Sequence, residues 1–522
     1  MRVPLTSGAY QARGIIASAQ RCVNLFAERN PQGALAPFTF YNAPGLTSLV
    51  ELGTPASGRG LYRANNGSLY YAAGAFVYLV NSDWTMQTLG VLTTTTGPVS
   101  MADNGTTIGL VDGSANGYQI DMTTNVMTQI TEAANSPPSG TFAFYGANRV
   151  DVVDGYMLFN HPGTRNFYST YANEMVFDAL YFAAKNGFSD NLVGLVVTRR
   201  EIWLIGEKTT EIWYNAGATD FPFQIMPGPF IQYGCIAPAS IASVNGSNFW
   251  VSQDQAGQNI ILRTDGYVAK RISNHAMENE MLTYPTVADA QAFCFQIEGH
   301  AFYQVNFPAA NKTWRWDEAT PEIWHEAVWV DENGQENRHR AACAAFAYGK
   351  NVCADWETGD LYEFDLNVTT DNGDPMYYRR GYPHMMDDGR RVIYPGFVLD
   401  VQAATSPYTV DQPGPFPLLA GPGGVGGAPS IDAGPVEDAL LSGPAPVSNP
   451  PIVWLRWSDD RGRTWSNPVA QSLGATGQYL VQPAWNRLGM ARDRVFEIFG
   501  VVPGKLAING AFLDPKPIPL GS

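Results

Sequence analysis

One eight-residue stretch combines the residue types and spacing of a known motif. Residues Ser458, Asp460, Gly462 and Trp465 match the Asp-box pattern S-x-D-x-G-x-[ST]-W. An aspartate at this spacing can accept backbone N–H bonds across a turn, and the glycine permits the positive φ that such a turn needs. Sialidases, which cleave glycans, carry several copies on a propeller, whereas this motif occurs once here and outside the repeated part of the chain. We therefore predict a structural hairpin turn at these four residues.

A sialidase-like reaction would need further groups. It requires clustered arginines for a substrate carboxylate and a Tyr/Glu nucleophile pair. Arginine doublets occur at 199–200, 379–380 and 390–391, and nothing in the sequence ties them together. A propeller that binds glycans, or a sialidase-like glycosidase, therefore stays as the alternative interpretation of the chain.

Other catalytic and metal-binding patterns are incomplete. His325 and Glu326 begin like the zincin pattern H-E-x-x-H, but Trp329 stands at the position of the second histidine. Residues 206–210 resemble the end of a P-loop without its first glycine. Residues 371–374 could bind calcium, although a simple turn is the favoured reading. We predict no catalytic, cofactor-binding or metal-binding residues.

The composition limits the class of protein. Charged residues make up 15% and aromatic residues 12% of the 522 residues, while glycine (52) and proline (36) are abundant. An aromatic, turn-rich and charge-poor chain favours an all-β protein over a disordered chain, a coiled coil or a helical bundle. The net charge of −16 argues against a protein that grips nucleic acid, because phosphate binding needs clustered Lys and Arg.

The cysteines and the apolar runs indicate the compartment. The five cysteines form no CxxC pair, which predicts free thiols and synthesis in a reducing cytoplasm. The N-terminus shows no apolar core of roughly 7–15 residues, so we expect no signal peptide. Apolar runs such as 192–197 are far shorter than the ~20 residues of a membrane helix, so we expect no membrane insertion by this chain.

Turn signals alternate with short β-branched or aromatic runs along the chain. Asn-Gly occurs eight times and Asp-Gly four times, and both pairs favour the type I′ turns of hairpins. Residues 69–72 and 75–80 predict one hairpin, and residues 201–205 and 210–214 predict another. Apolar residues near helical spacing make 172–185 the best helix candidate.

The hairpins recur at a regular spacing. The spacing is about 39–51 residues, close to the ~40–50 of a propeller blade. A four-stranded blade cannot bury both faces alone, and blades stacked round an axis can. Six and seven blades both fit, because two units could be halves of one blade closed by the other end of the chain. The units begin near residues 59, 98, 148, 192, 239, 288 and 339.

The end of the chain has a different pattern. Residues 395–402, 452–457 and 493–516 are typical of sandwich strands, and 403–451 between them contains 11 Pro, 8 Gly and no Lys or Arg. Taken alone, that composition is typical of a flexible or polyproline-II linker. A segment with little to bury becomes ordered by packing on something else, so we take 403–451 as a hint of a partner surface.

The predicted fold is thus all-β: a β-propeller of six or seven blades with a C-terminal β-sandwich-like platform domain. We expect an N-terminal segment at 1–50 packed on the platform, the propeller at 51–394, and the platform at 395–522.

Three parts of the chain resemble one protein family. Near the start, residues 21–27 and 42–46 are similar to its opening pattern of Val-Asn followed by Pro-Gly-Leu. In the middle, residues 210–219 are similar to its hairpin ending in Gly-Ala-Thr. At the end, residues 455–462 and 487–492 resemble its last domain. The family is that of the tail hub (nozzle) proteins of short-tailed bacteriophages, the packaged-DNA stabilisation proteins.

The resemblance implies a structural virion protein and no enzyme activity or cofactor. Its members form a hexameric ring below the portal and the head-to-tail adaptor protein. The ring extends the DNA channel, retains packaged DNA and docks tail fibres or tailspikes, with a tail needle as a further partner. The implied location is the virion tail, after synthesis in the host cytoplasm. If the negative charge lines the lumen, DNA passes through it without tight binding.

Overall fold

Strands make up nearly all regular structure of the chain. The computed structural model describes residues 2–3, 10–11, 19–34, 36–218, 221–331, 333–387, 390–403, 451–474, 481–501, 504, 506–513 and 516–517. Within them the helices are α1 (Glu132–Asn135), α2 (His275–Met281) and two 3-10 turns, Pro238–Ser240 and Pro308–Ala310. Of the predicted insertion 403–451, residues 404–450 lie outside the described residues.

Seven strands precede the first repeat. They are β1 (Arg2–Val3), β2 (Tyr10–Gln11), β3 (Ala19–Gln20), β4 (Cys22–Val23), β5 (Leu25–Arg29), β6 (Phe38–Asn42) and β7 (Gly45–Val50).

The described chain then forms seven four-stranded antiparallel blades of a propeller in succession. Blades 1 to 5 are separate sheets, whereas blades 6 and 7 are parts of larger sheets. Blade 1 contains β8 (Gly58–Arg63), β9 (Leu69–Ala73), β10 (Phe76–Val80) and β11 (Met86–Val91). Blade 2 contains β12 (Ser100–Asp103), β13 (Thr107–Val111), β14 (Gly117–Asp121) and β15 (Met127–Gln129). Blade 3 contains β16 (Val150–Val153), β17 (Tyr156–Asn160), β18 (Asn166–Thr170) and β19 (Phe177–Ala184).

The remaining blades follow the same order. Blade 4 contains β20 (Leu192–Thr198), β21 (Glu201–Gly206), β22 (Thr210–Asn215) and β23 (Phe223–Ile231). Blade 5 contains β24 (Ala242–Val244), β25 (Ser247–Gln253), β26 (Asn259–Asp265) and β27 (Val268–Arg271). Blade 6 contains β28 (Gln291–Ile297), β29 (His300–Phe307), β30 (Lys312–Asp317) and β31 (Trp324–Glu326), followed by a hairpin of β32 (Val328–Val330) and β33 (Glu336–Arg338). Blade 7 contains β34 (Ala341–Ala347), β35 (Lys350–Asp355), β36 (Leu361–Asp365) and, as its outer strand, β7.

The predicted propeller is confirmed, and the repeat starts lie within three residues of the innermost strands. Both predicted hairpins are present, as β9–β10 and β21–β22. The predicted helix at 172–185 is wrong, because this segment contains the edge strand β19, which pairs with β18. Burial of Phe177 against the blade 2–3 core outweighs the local helical spacing.

Side-chain alternation explains how the blades pack. In blade 1, Tyr70 and Ala72 face blade 2, while Leu69 and Tyr71 face blade 7. Because successive residues of a strand point to opposite faces, each blade contributes to two cores. The described residues form one buried apolar cluster between each pair of neighbouring blades, including blades 7 and 1, so the ring of blades is closed.

Closure of the ring uses the beginning of the chain. Strand β7 pairs antiparallel with β36, so blade 7 joins segments that are about 300 residues apart in the sequence. Leu46 is 1% exposed within the core between blades 6 and 7. The pairing assigns Gly45–Val50 to the propeller, whereas the predicted boundary runs between residues 50 and 51.

Strands β37 (Thr370–Asp371) and β38 (Asp374–Pro375) extend the sheet of blade 7 beyond β7. The remaining strands are β39 (Tyr377–Gly381), β40 (Met385–Met386), β41 (Val392–Ile393), β42 (Gly396–Ala403), β43 (Ile452–Ser458), β44 (Val469–Ser472), β45 (Ala484–Asn486), β46 (Met490–Ala491), β47 (Asp493–Val501), β48 (Leu506–Leu513) and β49 (Lys516–Pro517). They form the predicted β-sandwich, with a small sheet of order β46-β41-β49 at its edge. One sheet has the order β45-β42-β48-β6-β5, with β1 paired to β48. The facing sheet contains β4-β39-β47-β43-β44.

One continuous sheet joins the two domains. Strand β4 pairs with β31 of blade 6 on one side and with β39 of the sandwich on the other. The first residues of the chain also enter the sandwich core, where Leu25 and Phe40 are buried beside Val453 and Ile498. Strand β39 already belongs to the sandwich, although it lies before the predicted boundary at residues 394 and 395.

Candidate functional site

The inner strands surround a cavity on the propeller axis. Its volume is about 620 Å³, and residues of blades 1, 2, 3, 5, 6 and 7 line it. Four charged side chains occur in this lining: Arg59, Asp112, Arg149 and Asp289. A propeller enzyme or lectin would carry its ligand site here. The hydrogen bonds of these four side chains therefore bear on the glycan-binding alternative.

The two arginines of the cavity hold the blades together. Arg149 extends from blade 3 and donates to the carbonyls of Leu195 (3.1 Å) in blade 4 and Ile241 (2.8 Å) at blade 5. Arg59 donates to the carbonyls of Gly74 (2.7 Å), Thr94 (2.8 Å), Thr96 (2.8 Å) and Gly97 (2.6 Å). Because carbonyls use these donors, the described geometry gives both guanidinium groups a structural role at the blade edges.

The structure does not bring the arginine doublets together. Arg199 and Arg200 form the turn between β20 and β21, with φ of 57° and 65°. Arg379 and Arg380 lie on β39 of the sandwich. Residues 390–391 precede β41, so no doublet contributes to the axial cavity.

The structure also shows where the residues of the incomplete metal-binding patterns lie. His325 is 1% exposed within β31, and burial lowers its pKa well below the usual range. Residues 371–374 form the tight turn between β37 and β38. Within the described ranges, no group of three or more His, Cys, Asp or Glu residues converges to hold a metal ion. No helix in this part of the chain has the length and apolar character needed to cross a bilayer.

The Asp-box residues lie together in the turn between β43 and β44. Asp460 accepts from the Thr464 backbone N–H (2.8 Å) and hydroxyl (2.6 Å), and the Ser458 hydroxyl donates to it (2.7 Å). Gly462 adopts φ of 90°. Trp465 is half-buried, and the Arg456 guanidinium lies 4.5 Å from its ring centroid. The hydrogen bonds from Thr464 lower the pKa of Asp460 to about 2.

We expect Asp460→Ala to destabilise this turn without disturbing the propeller. Three hydrogen bonds to the carboxylate are lost, and each contributes roughly 1 kcal/mol in a partly exposed site. Hydrogen exchange should increase in residues 458–466 and stay unchanged in the blades. Asp265→Ala, in the exposed β26–β27 turn, is the matched control; equal protection of 458–466 in both variants would contradict the structural role.

A network of buried ion pairs lies where the propeller meets the sandwich. Arg21, just before β4, makes two hydrogen bonds to Glu326 of blade 6 (2.8 and 2.6 Å) and one to Glu336 (2.9 Å). Arg379 of the sandwich contacts Glu336 (3.1 Å) and Glu497 (3.6 Å). Glu336, which follows blade 6, therefore pairs with one arginine from the beginning of the chain and with one from the sandwich.

The charges of this network suppress protonation of its carboxylates. Burial alone would raise the pKa of Glu336, but Arg21 and Arg379 outweigh it and lower this pKa to about 2. Arg21 likewise lowers the pKa of Glu326 against the effect of burial. Carboxylates with depressed pKa stabilise the folded state above about pH 4 and lose that contribution as the pH falls through the folded pKa.

Asp371 has the opposite electrostatic environment. It is 3% exposed beside the closing strand β7, and its Oδ1 atom has no hydrogen-bond partner. Burial raises its pKa to about 7, although Arg340 and Arg315 act to lower it. A carboxyl whose folded pKa is raised favours the folded state below about pH 4 and loses that contribution as the pH rises to 7.

We therefore expect Asp371→Asn to remove a stability loss between pH 5.5 and 8. The wild-type chain should lose on the order of 1–3 kcal/mol over this range, since one pKa unit corresponds to about 1.4 kcal/mol. Urea denaturation at both pH values measures the difference. Asp374→Asn, at a half-exposed position of the same turn, should keep a pH dependence of the same direction, because burial contributes more than Asp374 to the raised pKa of Asp371. A D371N variant as pH-dependent as the wild type would contradict the assignment.

These features define a class of protein. A closed seven-bladed propeller is joined by a continuous sheet and ion pairs to a β-sandwich, and the two arginines at the axis donate to backbone carbonyls. The architecture is that of a structural protein with two rigidly connected domains.

Comparisons with known proteins give the family. A family model described as "Bacteriophage P22 Gp10, beta-propeller" matches residues 1–369, and one described as "Bacteriophage P22 Gp10, beta-sandwich" matches residues 433–514. The chain therefore belongs to the bacteriophage P22 Gp10 family of phage structural proteins. The first match includes β5 and β6, which the structure places in the sandwich.

Other comparisons add little. No curated protein matches the chain significantly. A chain in a solved structure titled "Crystal Structure of Mitotic Checkpoint Complex" is similar with a TM-score of 0.37 and 12% identity, covering 59% of this chain and 89% of that chain. A likeness at this level carries no argument.

Sequence reasoning missed the ion-pair network at the domain junction. Its members lie next to β4 and on β31, β33, β39 and β47, and nothing in their local sequence indicates a pairing. The available signal was weak: acidic and basic residues, such as Glu326 and Arg379, inside strands that are otherwise apolar.

Proposed function

We propose that six copies of this chain form a ring in the phage tail, below the portal and its head-to-tail adaptor protein. The ring extends the DNA channel, retains packaged DNA and docks tail fibres or tailspikes, with a tail needle as a further partner. The observation that carries the proposal is the match of one chain to both the propeller and the sandwich of the Gp10 family. No cofactor enters this function.

The dimensions of the propeller favour a channel between copies. The axial cavity of about 620 Å³ is far too small for duplex DNA. Arg149 lines it and bridges blades 3, 4 and 5. A path for DNA therefore has to be formed by several protomers around a common axis. Such a closed ring is a normal outcome of head-to-tail contacts between identical chains.

The charge of the chain suits passage of DNA. Six copies, each of net charge −16, carry −96. An acidic lumen repels phosphates, so DNA slides past it and is not held by it. We expect weak DNA binding in a filter assay at ~0.15 M salt; tight binding that resists added salt would contradict a lumen of this kind.

The sheet that joins both domains suits a protein that must transmit force from one domain to the other. From β28 at the propeller axis to β44 in the sandwich, nine strands follow one another in hydrogen-bonded order. The sandwich is thus a rigid extension of blade 6, which fits a platform on which fibres dock.

Counting copies in the particle tests the proposal. Quantitative mass spectrometry of purified phage should find this chain and the portal protein in a fixed ratio that corresponds to one hexameric ring per portal ring. Native mass spectrometry of the purified chain should find six copies. Absence from the particle, or hundreds of copies, would reject the tail ring and leave a decoration or glycan-binding role.

A further inference from the structure

A small sheet at the edge of the sandwich carries an arginine-rich face. Strand β41 pairs with β46, with Val392 opposite Ala491 and Ile393 opposite Met490. We call residues 390–393 and 487–492 the basic ribbon. Val392 (3% exposed) and Ala491 (8% exposed) point inward, so alternation turns their neighbours in the ribbon outward.

The outer face of the ribbon is half apolar and half cationic. Ile393 (41% exposed) and Met490 (44% exposed) form a cross-strand apolar pair. Beyond the Val392–Ala491 pair lie Arg391 and Arg492, which are both exposed. Two further exposed arginines, at 390 and 487, belong to the same ribbon, and none of the four forms an ion pair with a described residue.

This arrangement is unfavourable in an isolated protomer. Four like charges within two short neighbouring segments repel one another, and exposed apolar pairs gain when they are covered. The chain as a whole carries 48 acidic against 32 basic residues, so the ribbon is a local exception to its charge.

We propose that the basic ribbon binds an acidic surface of a second copy of this chain and forms the contact between neighbours in the ring. The inference rests on the ring of the proposed function and names the surface that closes it. A copy of net charge −16 is the electrostatic complement of four arginines that have no carboxylate partner among the described residues.

The composition of the ribbon favours a protein partner over DNA. Arginine and methionine are enriched in protein–protein interfaces, where apolar side chains occupy the centre and charges the rim. Ile393 and Met490 would face phosphates in a DNA complex, where they would gain nothing.

Charge also determines the symmetry of the contact. Two ribbons cannot pair with each other, because Arg391 and Arg492 of one copy would meet those of the other. The contact is therefore between different surfaces of the two copies, which is the type of contact that closes a ring.

Charge reversal at the ribbon tests the inference. Arg391→Glu/Arg492→Glu should shift assembly of the full-length chain to at least tenfold higher concentration in sedimentation velocity and native mass spectrometry. Arg63→Glu, at an exposed arginine of blade 1 that pairs with no described carboxylate, is the matched control and should assemble like the wild type. Circular dichroism and thermal unfolding check that each variant folds; if the double variant does not, Arg391→Gln/Arg492→Gln is used, with a smaller shift in the same direction.

Cross-linking identifies the occupant. A photo-reactive phenylalanine analogue at Ile393, in a mixture of ¹⁵N- and ¹⁴N-labelled chains, should give cross-links between differently labelled copies. Unchanged assembly of the double variant, or cross-links only within one copy, would overturn the ribbon as the ring contact and leave the ring itself standing. If the double variant forms intact rings but binds less DNA in the filter assay, the ribbon is a DNA-binding surface. A wild-type chain that never forms rings would reject the proposed function.

Discussion

Arg21→Ala is expected to lower the free energy of unfolding by about 3 kcal/mol or more, because it leaves Glu326 charged and buried, with Lys312 at 3.8 Å as its remaining ion-pair partner among the described residues. The loss should be local at first. Hydrogen exchange should increase in β4 and β31, the strands that join propeller and sandwich, before it increases in blades 2 to 4. Chemical denaturation followed by circular dichroism gives the free energy, and exchange mass spectrometry gives the location.

Two controls distinguish the effect of breaking the ion-pair network from the effect of removing a surface charge. Arg29→Ala removes the Arg29–Glu322 pair, whose side chains are 60% and 45% exposed, and should change stability by less than about 0.5 kcal/mol. In the double variant Arg21→Ala/Glu326→Gln part of the loss should be recovered, because no buried charge is left unpaired. An Arg21→Ala variant as stable as Arg29→Ala would show that the network does not hold the junction together.

Leu46→Ala is expected to cost about 2–5 kcal/mol, the range for removing a fully buried leucine side chain. Leu46 lies on the strand that closes blade 7, so its loss weakens the contact between the beginning of the chain and blades 6 and 7. Limited proteolysis should cut between β6 and β8 sooner than in the wild type.

An exposed leucine supplies the control for this prediction. Leu180 on the outer strand of blade 3 is 76% exposed, so Leu180→Ala should leave stability nearly unchanged. Equal stability of both variants would mean that β7 does not close the ring of blades.

Most of the architecture could be predicted from the sequence, because it depends on local chemistry. Hairpins such as β9–β10 follow from Gly-containing turns between aromatic and β-branched runs, and the repeat spacing gives the blades. The Asp-box pattern is readable for the same reason, since the partners of Asp460 lie within four residues of it. The helix predicted at 172–185 failed where local spacing competed with pairing to β18 and burial of Phe177.

Composition, turn signals and repeat spacing suffice to predict an all-β chain of repeated hairpins, acidic and free of a complete catalytic motif. Closure of blade 7 by Gly45–Val50, the link of β4 between blade 6 and the sandwich, and the contact of Arg21 with Glu326 across 305 residues emerge only in the folded chain. Turns and alternation are encoded by neighbouring residues, whereas strand partners and buried ion pairs depend on contacts between distant segments, whose pairing no short stretch specifies.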